Sequence, residues 1–197
     1  MIKTKRGKIE KLNVSETLRY LGYGKTVLPE ESVQALLREC GSEILAAQDM
    51  RACYSVFDID ICGEDIDLGF AKVKSHSLFL NLEGCKKIVL FACTAGAGVD
   101  RLIAKYSRIS PSKAAVMQAA GAALVEDWCE QLCAFFRQEY GYTRPRFSCG
   151  YGDLPLTLQR DIFAALSVTK QIGITLSDDC FMTPTKSVTA IVGIKNI

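Results

Sequence analysis

Apolar positions along the chain change period several times, and each change marks an element. Val33, Leu36 and Leu37, then Ile44 and Leu45, recur at helical spacing behind Pro29-Glu30-Glu31; a helix is predicted over 30–48 and a shorter one over 15–22. From Ala52 to Ile61 the residues Cys53, Ser55, Phe57, Ile59 and Ile61 alternate with others, the period of a strand. Lys87 to Cys93 is a short, largely apolar run that suits a central strand buried on both faces. It leads through Thr94-Ala95-Gly96-Ala97-Gly98 into a helix opening near Val99.

The longest predicted helix runs from Pro111 to Tyr140, with Ser110 as its cap and Gly141 as its stop. Its first half carries Ala114, Ala115, Ala119, Ala120, Ala122 and Ala123, small enough for a neighbouring element or a ligand to come close. Glu126 and Glu130 stand four apart and share one side of it. Arg144 to Ser148 reads as a strand feeding a turn at Gly150, and Asp153 as the cap of a helix holding Leu158, Ile162, Phe163 and Leu166. Strands near Ile172–Leu176 and Ser187–Ile194 close the chain. Residues 1–50 form an N-terminal helical part of the same domain, and residues 51–197 form its core.

With 197 residues, 49% of them hydrophobic, the chain is long enough for one core of ordinary size. Its formal charge of +2 provides no bulk field for nucleic acid or an anionic membrane. The one basic cluster, Lys3-Thr4-Lys5-Arg6-Gly7-Lys8, reads as a solvated terminus. The longest apolar run, Ile88 to Val99, falls short of the roughly twenty residues of a spanning helix, and no apolar segment of a secretory signal follows the N-terminus. A cytoplasmic protein, with no membrane or nucleic-acid partner, is the expectation.

Nine cysteines invite a metal or disulfide reading, but their spacing argues against it. There is no Cys-x-x-Cys, the count is odd, and the single histidine, His76, has no Cys or His close in sequence. Reduced, buried thiols acting as small hydrophobes are expected, and no metal site. Asp58, Asp60, Glu64, Asp65 and Asp67 do not match a calcium-loop spacing and read as solvated. Gly96 and Gly98 lack the third glycine of a dinucleotide fingerprint; an anion-receiving turn and close helix–strand packing account for them equally well.

The richest chemistry lies in Arg146-Phe147-Ser148-Cys149-Gly150-Tyr151-Gly152-Asp153-Leu154-Pro155-Leu156. A guanidinium holds a carboxylate with two parallel hydrogen bonds, and glycines let backbone approach a flat ring. Arg-x-x-x-Gly-Tyr, here Arg146, Gly150 and Tyr151, resembles the S-adenosylmethionine (AdoMet) motif in the activation domain of cobalamin-dependent methionine synthase. Gly173-Ile174-Thr175-Leu176-Ser177 and Met182-Thr183-Pro184-Thr185-Lys186-Ser187-Val188 resemble the same domain's C-terminal strands, in the same order. The helix bearing Glu126 sits where that domain has a glutamate-bearing helix. The resemblance covers residues 86–195 and is nearest to short, free-standing forms of the domain.

It implies an α+β fold, a twisted, largely antiparallel sheet with packed helices. It implies an AdoMet site in which Arg146 takes the carboxylate, Glu126 meets the ammonium, and backbone groups among Phe147, Ser148, Gly150 and Gly152 take the adenine edge. Tyr151 offers its ring either to the sulfonium or to the ribose. The implied activity is reductive reactivation, by methylation, of a cobalamin carried by a partner, with electrons from a flavodoxin-like or other reductase. The corrinoid does the difficult chemistry, so no catalytic side chain is required. The partner would be a cobalamin-dependent methionine synthase or another corrinoid protein, reached in trans. The alternative is a corrinoid-protein docking module that no longer binds AdoMet. The longer domain's N-terminal aspartate contact and its tyrosine beyond the final strands have no counterpart here.

Overall fold

Every residue from Ile88 to Thr94 is buried, and side chains on a strand alternate between faces. Val89, Phe91 and Cys93 enter one apolar core, while Ile88, Leu90 and Ala92 enter a second on the opposite face. This strand is the middle of a structure, described for residues 1–24 and 28–195 in a computed structural model. In chain order the elements are strand β1 (Lys3–Gly7), helices α1 (Val14–Tyr20) and α2 (Glu31–Ala47), and strands β2 (Met50–Asp58), β3 (Asp60–Cys62), β4 (Asp65–Asp67) and β5 (Lys72–Lys74). Helix α3 (His76–Leu82), strand β6 (Lys87–Thr94), and helices α4 (Ala97–Ile109), α5 (Pro111–Tyr140), α6 (Gln159–Leu166) and α7 (Val168–Ile172) follow. Strands β7 (Thr175–Leu176), β8 (Met182–Thr183) and β9 (Ser187–Ile194) complete the chain.

The main sheet runs β1-β2-β6-β9, and every neighbouring pair in it is antiparallel. Helices α2, α4 and α5 supply the first core; α3, α6, α7 and the small β3-β4-β5 sheet supply the second. The expected α+β fold, with an antiparallel sheet and packed helices, is the one observed.

Helix α5 has the predicted bounds. Pro111 opens it, where its missing N–H costs nothing, and Gly141 (φ 82°) closes it. Ser110 stands at the cap position but its side chain makes no capping hydrogen bond. Trp128 locks the helix to the sheet: fully buried, it donates its indole N–H to the Arg51 carbonyl at 3.3 Å.

Several expectations are corrected. The basic cluster is solvated as expected but is also ordered: Lys3–Gly7 form strand β1, paired along its whole length with β2, so residues 1–50 are not a purely helical part. The strand expected over 52–61 breaks after Asp58; the buried Ile59 donates its N–H to the Lys86 carbonyl. Arg144–Ser148 is an extended segment beside β9 rather than a strand. Thr143 bridges Ile194 and Phe147 bridges Ile191, but Pro145 between them has no N–H for a continuous ladder. Within Ile172–Leu176 the first residue still belongs to α7, and only Thr175–Leu176 pair as a strand.

The glycines after β6 serve packing. A Cβ on Gly98 would stand 2.1 Å from the Ala47 carbonyl oxygen, so only glycine lets α4 start against the end of α2. Substituting Gly98→Ala forces these helices apart and should lower stability by about 1–3 kcal/mol. In urea unfolding this appears as a lower midpoint at unchanged slope; an unchanged midpoint would show that the contact is not tight.

Candidate functional site

Helix α5, the edge segment beside β9 and the Gly150 turn enclose a cleft of about 840 Å³. From α5 come Glu126, Glu130, Cys133 and Arg137, a stripe at helical spacing. Residues 142–149 form a second wall, with Tyr151, Gln159, Met182 and the first residues of β9 completing the lining.

Of the seven residues expected at a ligand site, Glu126, Arg146, Phe147, Ser148 and Tyr151 meet in this cleft. Gly150 and Gly152 do not line it; they shape the turn beneath it. Both have positive φ (85° and 56°), and a Cβ on Gly152 would stand 2.4 Å from Ser77 Oγ. Hydrogen bonds from the Gly150 N–H to the Leu154 carbonyl (3.0 Å) and from the Tyr151 N–H to the Ser148 carbonyl (3.3 Å) close the turn. The Phe147 N–H and carbonyl are both engaged with Ile191 at 2.8 Å, so that residue's backbone holds the edge segment to β9.

The electrostatic centre is Arg146. Its side chain is 24% exposed, donates a hydrogen bond to the 29% exposed Glu126 carboxylate, and brings Nε within 3.6 Å of Glu130 Oε1. Burial works against its charge, but Cys129 and the Glu126 and Glu130 carboxylates outweigh burial and hold the guanidinium above its ordinary value. A guanidinium has five N–H donors, and this pairing leaves others for an incoming anion. The arrangement is a fixed cation beside a fixed anion, with an aromatic hydroxyl, Tyr151, 70% exposed at the rim.

The thiols nearby are quiet. Burial pushes Cys149 and Cys133 up to about 12 each, far from a reactive thiolate. Cys93 and Cys129 lie behind the cleft with their sulfurs 3.5 Å apart, and burial holds Cys93 well above its ordinary value. Among the described residues, no group of three His, Cys, Asp or Glu side chains could hold a metal ion, and no helix is long and apolar enough to cross a membrane.

One acid assigned from the sequence acts elsewhere, and a second, in the first turn of α4, ties down a loop. Asp153 does not cap α6, which follows a single 3-10 turn at Leu156–Leu158; its carboxylate accepts from the Ser75 hydroxyl (2.6 Å) and the His76 (2.7 Å) and Ser77 (3.1 Å) amides. It caps α3 from outside and ties the glycine turn to that helix. Asp100 accepts from the Thr185 amide (2.7 Å) and hydroxyl (2.9 Å), which fixes the loop before β9. Lys186 lays its stem over Gly121 of α5; burial lowers its ammonium pKa against the pull of Asp100.

Sequence reasoning missed Arg137, Arg144 and Gln159. Arg137 was legible, because it continues the spacing of Glu126, Glu130 and Cys133. Arg144 gave no such signal: it spends its guanidinium on the Glu83 carbonyl (2.7 Å) at the end of α3, a contact 61 residues away in sequence.

A charged cleft thus lies at the sheet edge of a helix-covered antiparallel fold, and the comparisons give its class. Residues 71–196 match the family described as vitamin B12 dependent methionine synthase, activation domain, and the chain belongs to this family. Its fold is similar to the crystal structure of the MetH reactivation domain bound to AdoHcy, with a TM-score of 0.75 and 17% identity over 98% of this chain and 78% of that one. The shared fold thus extends beyond residues 86–195 to take in the N-terminal elements. No curated protein sequence matches the chain significantly.

Two outcomes follow. The Ser75 hydroxyl, then the His76 and Ser77 amides, hold the Asp153 carboxyl below its usual 3.8. The stability it lends is present above about pH 4 and is lost as pH falls through the depressed folded value. The melting temperature of the native protein should exceed that of Asp153→Asn at neutral pH, with the gap closing in acid; a gap independent of pH would remove the charge from the account. Brief alkylation of the native protein at pH 8 should label the exposed Cys62 and spare Cys149. Peptide mapping that found Cys149 labelled as fast as Cys62 would contradict its burial.

Proposed function

We propose that this chain binds AdoMet in the cleft and supports the reductive reactivation, by methylation, of a cobalamin carried by a partner, a cobalamin-dependent methionine synthase or a related corrinoid protein. The observation that carries the reading is the Arg146–Glu126 pair at the cleft wall. A free amino-acid group is a zwitterion, and the pair is its electrostatic complement. Arg146 receives the carboxylate on its remaining donors, and Glu126 receives the ammonium. Tyr151 stands at the rim where its ring can face a sulfonium or a ribose. Family membership and the likeness to a domain crystallised with AdoHcy support the same ligand.

When bound, AdoMet supplies the methyl group, and a flavodoxin-like or other reductase supplies the electron. This chain's own residues bind and orient. Arg146 and Glu126 fix the amino-acid end, so that the reactive end is presented at the mouth of the cleft, where a partner can reach it. None of them needs to move a proton.

Calorimetric titration with AdoMet and AdoHcy tests the reading. The native protein should bind both, and Arg146→Ala should weaken binding about a hundredfold or more, because it also leaves Glu126 without its partner. Unchanged affinity in the variant would overturn the carboxylate assignment. A native protein that bound neither ligand, yet bound a corrinoid protein, would replace this reading with that of a docking module.

A further inference from the structure

Among the described residues four buried side-chain polar atoms lack a hydrogen-bond partner, and two of them belong to residues that line the cleft. One is Arg144 Nε, whose guanidinium is already held by the Glu83 carbonyl. The other is the amide oxygen of Gln159. This residue is 6% exposed, and among the described residues its buried amide oxygen has no hydrogen-bond partner.

The placement is not explained by packing. Gln159 is the first residue of α6, and the helix buries Ile162 and Leu166 completely in the second core. An apolar side chain would serve equally well there, whereas a buried amide left unpaired works against folding. Buried polar groups of this kind are partnered by protein, water or ligand, and Gln159 is a lining residue of the cleft.

We propose that Gln159 reads the base of the bound ligand, its amide oxygen accepting from the 6-amino group of adenine and its amide nitrogen donating to the adjacent ring nitrogen. This rests on the AdoMet reading given above. The charged ends of the ligand already have Arg146 and Glu126, which match a carboxylate and an ammonium better than a neutral amide does. What remains on the ligand is a donor beside an acceptor on a flat ring, and a glutamine amide offers the complementary pair in one plane. The terminal torsion of glutamine is broad and two-fold, so the oxygen can turn to the cleft without moving the helix. With the Phe147 N–H bonded to Ile191, Gln159 supplies a donor that this residue's backbone does not.

The test compares AdoHcy with the analogue in which hydrogen replaces the 6-amino group, each titrated into the native protein and into Gln159→Met. Methionine keeps the length and unbranched shape while removing both polar atoms. The native protein should bind the analogue about tenfold or more weakly than AdoHcy. Gln159→Met should bind AdoHcy at that reduced level and should not distinguish the two ligands. Equal native affinities for both ligands would overturn the assignment, and that comparison depends on no variant folding. A variant that kept the native discrimination would overturn it too. If AdoHcy binding is lost in Arg146→Ala but indifferent to Gln159, only this inference falls; if the native protein does not bind AdoHcy, the AdoMet reading falls with it.

Discussion

The burial of β6 on both faces is the constraint from which the rest of the molecule follows. A slip of one residue would exchange Val89, Phe91 and Cys93 with Ile88, Leu90 and Ala92 between two differently shaped cores, so its register is strongly specified. That register fixes β9, paired with β6 from Lys87–Ile194 to Thr94–Ser187. The register of β9 in turn places the edge segment, because Phe147 is bonded to Ile191 and the Arg144 N–H to the Gly193 carbonyl at 2.8 Å. Arg146 therefore owes its position to a strand it never touches. Glu126 arrives independently on α5, two residues from Trp128, which is clamped on β2. Two rigid elements meet at one ion pair, and the cleft is the space they leave.

How much of this was legible depended on the distance over which each signal acts. Helix α5 was readable to the residue because Pro111 and Gly141 are local punctuation, and β6 because an apolar run buried on both faces needs no partner to be recognised. The short elements were not. Helix α3 and the three-residue strands β3, β4 and β5 take much of their support from distant or exposed groups: the local cap of α3, Ser75, is itself held by Asp153, which also binds the amide of His76, 77 residues away, and in the small sheet Asp67 pairs with Lys72 near solvent. Asp153 was read as the cap of the helix following it, a reasonable local inference that tertiary geometry overrode. In the site, Arg146 and Tyr151 were carried by a motif, but Gln159 carries no signal in sequence: its meaning lies in having no partner, which only a folded structure can reveal.

The charged pair also explains how a cleft of this size persists. An arginine three-quarters buried is costly without an anion beside it, and Glu126 supplies one before any ligand arrives. The cleft is thus held open by charges that satisfy each other, while the thiols around it stay protonated and behave as apolar filling.

The two edges of the main sheet are finished in different ways. On one side, β1 carries Lys3, Lys5 and Arg6, with the Lys5 ammonium 4.0 Å from the centre of the Phe135 ring. On the other, residues 143–147 lie along β9 and Pro145 interrupts their ladder. One border is charged and the other is covered by backbone that cannot be extended, so neither offers a clean row of amides to a further strand. Charge on one border and the proline break on the other both work against polymerisation through sheet extension.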